Sequence, residues 1–395
     1  MIALTDSVVG ANAGRSRGHN RQVVLGHIRK AGRIGRAEIA RASGLSTQAV
    51  SNIIADLLAD GLILEQGHRA VSRGVPVVQY ALNPDGGFAV GIEIRPDVVF
   101  GALLNFCGAP VAQKRRQITT SDRNGVANAV REMKAALCQA SGTPQARLLG
   151  LGVVMPGPFG DTGIQGGASE LPVWDETPPE VWLSDMLGTP VLVENDANAA
   201  AIAERVSGAA KGLDNYAFLY FGAGLGLGLV HKGRLMAGAF GNAGEIGTLE
   251  VPTSYGMVRL EEAVSRLSLS QALKSSGQDA SNVDELAALF RDGNATMLAW
   301  IEGAIAPLSA AVSMVENLFD PETVILGGAM PDNILDHLVQ TVRLPDRSVS
   351  NRPNRSHPRL MRGASGRMTA TMGAAALVVN RAFTPTIAPQ PRELA

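Results

Sequence analysis

The chain has 395 residues, of which 46% are hydrophobic and 18% charged, with a formal net charge of -1 at pH 7. This composition predicts two or three folded domains with a sizeable buried core and excludes a chain dominated by glycine or proline. The two cysteines, Cys107 and Cys138, exclude a disulfide framework and a cysteine-rich metal site. Because the sequence has no signal-peptide pattern and no run of about 18 apolar residues, we expect a soluble, cytoplasmic protein.

Charge is distributed unevenly along the chain. Residues 1–82 carry ten Lys and Arg against five Asp and Glu, whereas the remainder carries 25 against 31. A basic N-terminal segment on an acidic body indicates a polyanionic partner for that segment alone.

Three helices are predicted in the basic N-terminal segment. Residues 1–18 are small, polar and glycine-rich, which predicts a flexible tail. A first helix begins at about Asn20, a second spans Arg36 to Ser43, and a third follows Ser46, whose side chain is placed as the N-cap. In the third helix apolar residues recur with the spacing of a buried stripe: Val50, Ile53, Ile54, Leu57 and Leu58.

A short helix, a glycine-containing turn and a helix with a polar outer face form the helix-turn-helix arrangement, which we predict with a wing over residues 19–82. The strand patterns LILEQG and PVVQYAL flank HRAVSRG, whose Arg69 and Arg73 would reach the DNA backbone or minor groove. The side chains predicted to contact phosphates and base edges are Ser46, Thr47, Gln48, Ser51 and Asn52. The alternative is a small three-helix packing module with an ordinary solvated surface.

From Asn83 onward the pattern changes to strands mixed with helices, which favours α/β layers over a helical bundle. Helical patterns lie at about 124–141, 196–210, 259–274, 296–319 and 366–381. Strand patterns lie in FAVGIEI, VVFGALLNF, LLGLGVVMPGPF, TPVLVEN, the hairpin YAFLYFGAGLGLGLVHKGRL, and TVILGGAM.

Three segments of this body carry chemical groups. FGAGLGLG, at 221–228, lets backbone N–H groups approach an anion, although glycine in a hairpin also marks close strand packing. In VENDANAA an apolar strand is followed by a helix. Three roles are open for Asp196 at this junction: a general base, a ligand-binding group, or an acid that stabilises the helix N-terminus. In GNAGEIGTLE, Glu245 lies between glycines and either hydrogen-bonds hydroxyl groups or remains a solvated loop carboxylate.

The chain resembles the ROK family (repressors, open reading frames and sugar kinases) from about Asn20 to about Asn380. The resemblance rests on segments that stand in the family order: GLSTQAVSNII, GLGVVMPGPF, LPVW, VENDANAAAIAE, FGAGLGLGLV, AGEIG and TVILGGAM. It implies an N-terminal winged helix-turn-helix followed by a two-lobed, actin/Hsp70/sugar-kinase-like (ribonuclease H-like) α/β body with a cleft between its lobes. The first lobe would comprise residues 83–205 plus 366–381, and the second lobe residues 206–365.

The resemblance also implies roles for individual residues. Asn195 and Asp196 match a family pair that binds sugar hydroxyls, and the aspartate of that pair is also the catalytic base of family kinases. Glu245 and Glu261 match two further glutamates that contact the sugar. Carboxylate and amide acceptors suit a polyol, because each buried hydroxyl must replace its hydrogen bonds to water.

Departures from the family kinases predict that phosphoryl transfer is lost. Family kinases carry an Asp-x-Gly-Gly-Thr phosphate loop, where this chain has Glu93-Ile94-Arg95-Pro96-Asp97. Proline removes a backbone donor, and Asp97 puts negative charge where phosphates would lie. Ala223 replaces a threonine in the second phosphate loop. We therefore expect no kinase activity.

Two further departures concern metal and ligand. Thr248 replaces a family histidine, and PTSYGMVR, from Pro252 to Arg259, replaces the Cys-x-Cys-Gly-x-x-Gly-Cys register, so that no thiolate or imidazole remains for zinc. No cofactor is expected. Glu170 in ELPVW stands where asparagine is common and indicates a non-standard ligand-binding residue.

The leading hypothesis is a sugar-responsive transcriptional repressor that binds operator DNA as a homodimer or higher homo-oligomer, with no membrane partner. Two alternatives stay open. One is an active ATP-dependent sugar kinase fused to a DNA-binding head. The other is an interaction module whose body binds a protein and whose cleft is silent.

Overall fold

The computed structural model describes residues 13–69, 77–95, 97–118, 122–157, 177–253, 256–280 and 282–384. The chain divides into two compact units, one of Met1–Gly87 with Asn380–Ala395 and the other of Phe88–Val379. The helices are α1 (Ala13–Ala31), α2 (Arg36–Ser43), α3 (Thr47–Ala59), α4 (Arg123–Ser141), α5 (Pro179–Leu187), α6 (Asp196–Ser207), α7 (Leu260–Ala263), α8 (Arg266–Ser275), α9 (Val283–Arg291), α10 (Ala295–Phe319), α11 (Asp332–Thr341) and α12 (Thr369–Phe383). The strands are β1 (Ile63–Arg69), β2 (Val77–Leu82), β3 (Phe88–Ile94), β4 (Val98–Asn105), β5 (Pro110–Gln117), β6 (Leu148–Val154), β7 (Val191–Glu194), β8 (Tyr216–Phe221), β9 (Leu225–His231), β10 (Arg234–Leu235), β11 (Glu250–Thr253), β12 (Gly256–Arg259), β13 (Val324–Gly328) and β14 (Leu360–Arg362).

The first unit contains three helices and a two-stranded antiparallel sheet, β1 with β2. Gly44 ends α2 in the left-handed conformation, at φ 72°, which glycine adopts without steric cost. The Ser46 hydroxyl accepts a hydrogen bond from the Ala49 backbone N at 3.2 Å and so caps α3. The predicted apolar stripe of α3 is buried, apart from the partly buried Leu58. The winged helix-turn-helix predicted from the sequence is confirmed.

Helix α1 begins earlier than the sequence pattern indicated. The flexible tail was predicted over residues 1–18; residues 1–12 lie outside the described residues, and the chain is helical from Ala13. In this part of the helix Arg17 contacts Asp56 at 2.6 Å and Arg21 contacts Asp60, so α1 forms ion pairs with α3. These arginines look like part of a solvated basic segment in the sequence, yet they fasten α1 to α3.

The first sheet of the second unit has the order β5-β4-β3-β6-β7. Strands β3, β4 and β5 are antiparallel neighbours, and β6 and β7 continue parallel to β3. Val90, Ile92 and Ile94 of β3 lie in the core with α4. Gly91 faces the other way, against the backbone of α12 at Ala375. Because both of its faces are covered, β3 has a nearly continuous apolar sequence.

The second sheet has the order β10-β9-β8-β13-β14 and repeats the pattern of the first. Again three antiparallel strands are followed by two parallel ones. Helix α10 fills the core of this half with Leu308, Val312 and Val315. One strand pattern repeated in two sheets is the two-lobed, ribonuclease H-like body that the family resemblance implied.

Helix α6 packs against β8 and β9 of the second sheet. A Cβ on Gly226 would lie 2.7 Å from the Ala197 side chain, and one on Gly228 would lie 2.8 Å from the side chain of Ala201. The lobe boundary was predicted at 205, after the first ten residues of this helix. Helix α6 therefore contacts the second sheet along its length, because small residues on both surfaces let helix and strand approach closely, and its Ala199 carbonyl lies against Gly373 of α12.

Several elements were not predicted from the sequence, and two helices were predicted as one. The helical pattern over 259–274 is two helices, α7 and α8, separated at Val264-Ser265. Helices α5, α9 and α11 and strands β5, β11, β12 and β14 were not predicted. They are short, and most lie at the surface, so their apolar periodicity is weak.

Among the described residues one helix, α10, is long and apolar enough to cross a membrane by length and composition. Its buried side chains pack in the core of the second sheet. A core helix of this length gives the same hydropathy pattern as a membrane span, and the core packing accounts for its apolar sequence.

Candidate functional site

The strand-to-helix junction singled out in the sequence is formed by β7 and α6. Asn195 is the N-cap of α6, and its Oδ1 accepts a hydrogen bond from the Asn198 backbone N at 2.8 Å. Asp196 is the first helical residue, and its Oδ1 accepts from the Ala197 backbone N at 2.8 Å. Its Oδ2 lies 3.1 Å from the point where a Cβ would stand on Gly222. Asn195 is therefore a helix cap, whereas the Asp196 carboxylate also reaches the glycine loop.

A cavity of about 800 Å³ is lined by residues of both sheets of the second unit. Four of the residues predicted to contact a sugar line it: Asn195, Asp196, Glu245 and Glu261. The fifth, Glu170, lies outside the described residues. Acceptor groups from three separate segments of the chain thus meet in one cavity.

Glu245 and Glu261 share this space. Glu245 precedes a short 3-10 turn, Ile246–Thr248, and Glu261 is in α7. Burial, and secondly the charge of Glu261, raise the pKa of Glu245 above its ordinary value. The Glu261 Oε2 lies 2.8 Å from the point where a Cβ would stand on Gly224, so a side chain at that position would displace the carboxylate.

The carboxyl of Asp196 titrates near neutral pH. Burial, and secondly the charge of Glu93, raise its pKa from 3.8 to about 7. This carboxyl is therefore an acceptor when ionised and also a donor when protonated. A pKa near the working pH is also what a general base requires.

Glu93 and Arg95 form an ion pair where the family kinases carry their first phosphate loop. Glu93 is 5% exposed, and its Oε1 accepts hydrogen bonds from the Arg95 guanidinium at 2.6 and 2.7 Å. The other carboxylate oxygen accepts from the hydroxyl of Thr371 in α12 at 2.5 Å. The guanidinium also lies over the Phe100 ring, 4.8 Å from its centroid. We name these three residues, Glu93, Arg95 and Thr371, the Glu93 clamp.

The prediction for Asp97 was wrong. Asp97 was expected to put negative charge at the phosphate position, yet it is exposed and does not line the cavity. Its carbonyl accepts a hydrogen bond from the Ile118 backbone N at 2.9 Å, which holds it beside the end of β5. Arg95 lines the cavity instead. The charged group at this position is therefore a guanidinium, and it is paired with Glu93. Pro96 lies outside the described residues.

The glycine loop Gly222–Gly224 joins β8 to β9 beside the Asp196 carboxylate. The Leu267 backbone N donates to the carbonyl of Ala223 at 3.2 Å and so fixes the first turn of α8 against the loop. Arg266, the first residue of α8, lines the cavity at this point. The loop thus connects the Asp196 carboxylate on one side with an arginine on the other.

The hairpin of β11 and β12 holds the register in which the family carries zinc ligands. Its described residues offer no thiolate and no imidazole, and Thr248 offers a hydroxyl. Arg259 instead contacts Glu262 at 2.8 Å and Glu261 at 3.3 Å. These residues do not fit a tetrahedral zinc ion. Elsewhere in the part of the chain that the structure describes, no group of three or more His, Cys, Asp and Glu side chains could hold a metal ion.

The first unit presents a polar helix face. Thr47, Gln48 and Asn52 are exposed at the start of α3, and Ser51 is partly buried. The Gln48 side-chain amide donates to the Asn52 Oδ1 at 3.0 Å. The Arg69 side chain and all of Arg73 lie outside the described residues, so the wing contacts remain a prediction.

Sequence reasoning missed several residues of the cavity: Glu93 as an ion-pair partner, Tyr220, Arg259 and Arg266. Tyr220 follows the alternation of a buried strand and looks like a core residue. Arg266 begins a helix that was merged with its predecessor. In both cases only the three-dimensional arrangement brings a polar group to the cavity.

A winged helix-turn-helix unit and a body of two like sheets around a carboxylate-lined cavity define a DNA-binding protein with a sugar-kinase-like body. The model of the ROK family matches residues 89–381, and a model described as winged helix-turn-helix DNA-binding matches residues 19–63. The chain therefore belongs to the ROK family.

Known proteins similar to this chain include regulators and kinases. The xylose repressor of Bacillus subtilis (strain 168) is 25% identical over 319 residues, which cover 78% of this chain and 81% of the repressor. A solved ROK family transcriptional regulator, described as a homolog of E. coli MLC protein, superposes with a TM-score of 0.68 at 22% identity and covers 93% of this chain and 97% of its own. A ROK family glucokinase from Streptomyces griseus, solved with glucose and AMPPNP, gives a TM-score of 0.59 at 23% identity and covers 74% of this chain and 99% of its own. Both structural likenesses establish the fold.

Proposed function

We propose that this protein is a sugar-responsive transcription regulator, acting as a repressor, with a ligand cavity that does not transfer phosphate. One observation carries the proposal: the chain that bears a winged helix-turn-helix also gathers Asn195, Asp196, Glu245 and Glu261 in one cavity. The xylose repressor, similar over most of its length, supports the regulatory role. The sugar is identified by chemistry, as a polyol.

The cavity binds hydroxyl groups through its acceptors. Each hydroxyl loses hydrogen bonds to water when it enters, and the oxygens of Asp196, Glu245 and Glu261 replace them. Glu245 and Asp196, whose pKa values are raised, can also donate in their protonated forms, so each sugar oxygen finds a partner.

Phosphoryl transfer is absent from this proposal. A kinase needs donors free to neutralise phosphate charge, whereas Arg95 is engaged by Glu93 in the clamp. Ala223 in the glycine loop contributes no hydroxyl. Ligand binding is then read out as a conformational change, and the retained Asp196 acts as a ligand group.

The regulatory step couples the cavity to DNA. In the proposal two copies of the chain bind two half-sites, and a ligand-induced change of the body alters the spacing of the two α3 helices. The ligand shifts DNA affinity only as far as its own affinities for the two arrangements differ. A homodimer in solution, seen by light scattering, is a requirement of this step.

The test is fluorescence anisotropy of a labelled fragment from the region upstream of the gene, at physiological salt. Gln48→Ala with Ser51→Ala should weaken specific binding at least about ten-fold, because base contacts are lost. Gln113→Ala, exposed on β5, is the matched control and should bind as the wild type does. Unchanged binding in the double variant would falsify base reading by α3. A sugar panel that leaves DNA affinity unchanged would contradict the sensor role.

An active sugar kinase is the second candidate. It is favoured by the pKa of Asp196, about 7, beside a glycine loop. A coupled assay with ATP across the same sugars decides between the two. Turnover that disappears in Asp196→Asn establishes the kinase, and zero turnover at sugar concentrations that change DNA affinity supports the regulator.

A further inference from the structure

Helix α12 belongs to both compact units. Its residues 369–379 lie in the second unit, and its last four residues, 380–383, lie in the first. The helix is continuous over 15 residues, which corresponds to about 22 Å along its axis. One helix therefore carries residues of the ligand-binding body in its first turns and residues of the DNA-binding unit in its last turn.

The first turn of α12 contacts the Glu93 clamp. The Thr371 hydroxyl donates to the Glu93 carboxylate at 2.5 Å, and both side chains are buried. Glu93 lines the cavity and is paired there with Arg95. A ligand bound beside Arg95 or Asp196 would therefore change the surroundings of Glu93 and, through its carboxylate, those of Thr371.

Helix α12 also packs closely on two elements that form the cavity, β3 and α6. Gly373 of α12 lies against the Ala199 carbonyl of α6, and Gly91 of β3 lies against the Ala375 backbone N, with no room for a Cβ at either glycine. Ala199 is three residues from Asp196 on the same helix. Because closely packed backbones leave no space to absorb a displacement, a shift of α6 or β3 moves α12 as well.

The last turn of α12 is held by α1 within the first unit. The Gln22 side-chain amide donates to the Arg381 carbonyl at 3.1 Å, and the Arg29 guanidinium donates to the Asn380 Oδ1 at 3.3 Å. The same guanidinium lies over the Phe383 ring, 4.8 Å from its centroid. Helix α1 in turn forms ion pairs with α3, so the last turn of α12 is connected to the helix that carries the predicted base contacts.

We propose that α12 is the element that carries the state of the cavity to the winged helix-turn-helix. A ligand that displaces Glu93 or α6 shifts α12 by shear against its packed neighbours, and the last turn of α12 then moves α1. The inference rests on the proposed function, since it names the route by which ligand binding alters DNA affinity. Coupling of this kind is reciprocal and belongs to the protein itself, so a change at the cavity end alters α1 even without DNA.

The test is hydrogen–deuterium exchange of the full chain, without sugar or DNA, read by mass spectrometry on peptides of α1. Thr371→Val removes the hydroxyl that Glu93 accepts, and amides between Gln22 and Arg29 should then exchange at least about three-fold faster, because the helix end that holds α1 is less restrained. Thr371→Ser keeps the hydroxyl and should restore most of the protection. Unchanged exchange of α1 in Thr371→Val overturns the inference.

A matched control separates this route from a general loss of stability. Thr323→Val makes the same chemical change at a buried threonine of the second unit that does not line the cavity and whose hydroxyl donates to the Val324 carbonyl at 3.3 Å. It should leave the exchange of α1 within about 1.5-fold of the wild type. Equal acceleration in Thr323→Val and Thr371→Val would assign the effect to the body as a whole and overturn the inference.

A variant at the other end of α12 tests the route itself. Asn380→Ala removes the hydrogen bond to Arg29. In that background Thr371→Val should change the exchange of α1 by less than about half as much as it does in the wild type, because the two changes interrupt one route. Fully additive effects would show separate routes and would also overturn the inference.

The failure of this inference and that of the proposed function are distinguishable, because the exchange of α1 needs neither a sugar nor an operator. A chain whose DNA affinity responds to xylose or glucose, and responds equally in Thr371→Val, keeps the regulator and overturns the route through α12. A chain with coupled exchange whose DNA affinity no sugar of the panel changes removes the regulator and supports the connection through α12.

Discussion

The two ends of the cavity differ in how their charges are held. At the hydroxyl end, where Asn195, Asp196 and Glu245 lie, the Asp196 carboxylate is positioned by the backbone of α6, and the neighbouring Glu261 contacts Arg259 at 3.3 Å. At the arginine end, where Arg95 lies, both carboxylate oxygens of Glu93 accept hydrogen bonds, one from Arg95 and the other from Thr371. Carboxylates with remaining hydrogen-bonding capacity can bind a ligand. The paired Glu93 and Arg95 instead determine the charge of the space around them.

The two ends are also coupled. The charge of Glu93 is the second cause, after burial, of the raised pKa of Asp196. A side chain that contacts Arg95 and Thr371 thus influences the protonation of a group on α6. The three predictions that follow separate the ends, from the largest effect to the smallest.

Breaking the Glu93 clamp should have the largest effect. Glu93→Ala leaves Arg95 and the Thr371 hydroxyl without their shared partner and should lower the free energy of unfolding by about 3 kcal/mol. Urea denaturation at pH 7 measures it. Glu93→Gln keeps hydrogen-bonding oxygen and nitrogen in place and should lose less. A Glu93→Ala chain within about 0.5 kcal/mol of wild type would show that the clamp contributes nothing.

Neutralising Asp196 should stabilise the protein in alkaline solution. Its pKa is about 7 in the fold against 3.8 ordinarily, so between these values the folded chain binds more protons than the unfolded chain, and stability falls as pH rises. Asp196→Asn should therefore be more stable than wild type by about 2 kcal/mol at pH 8, allowing for the partial exposure of the side chain.

The gain should shrink as pH is lowered from 8 to 5, because the wild-type carboxyl then becomes protonated. Melting curves across that range check it, with Asp279→Asn, in the segment between α8 and α9 and outside the cavity, as a control for the same chemical change. A gain that is independent of pH contradicts the assigned pKa.

Removing the Thr371 hydroxyl should have the smallest effect. Thr371→Val takes away one donor to the buried Glu93 carboxylate and should cost about 1 kcal/mol of stability. Thr371→Ser keeps the hydroxyl and should restore most of it. A Thr371→Val chain as stable as the wild type would show that the hydrogen bond contributes nothing.

Local signals predicted the parts of the fold that depend on neighbours in sequence. Ser46 was recognised as an N-cap because capping is decided within one turn, and the stripe of α3 follows from helical periodicity. The junction at Asn195-Asp196 was found in the same way. Glu245 and Glu261 were assigned to the cavity by family resemblance, and the structure places both there.

The arginine end could not be predicted, because it depends on distant pairs. Thr371 meets Glu93 across 278 positions of sequence. Arg266 reaches the cavity because α8 starts anew after α7, where the pattern suggested one helix. The error at Asp97 has the same origin. Arg95 and Asp97 are two residues apart, and only Arg95 lines the cavity. The Asp97 carbonyl is bonded to Ile118 after β5, a contact between residues that are distant in sequence.

The contact between α6 and β9 determines where this protein can change. Gly226 and Gly228 meet Ala197 and Ala201 with no larger side chain between them, so a bulkier residue at any of these positions would push the helix off the sheet. Glu245 and Glu261 line the same cavity but take no part in this contact. Mutations can therefore retune ligand preference one side chain at a time while the frame stays fixed, so relatives can diverge in ligand without diverging in fold.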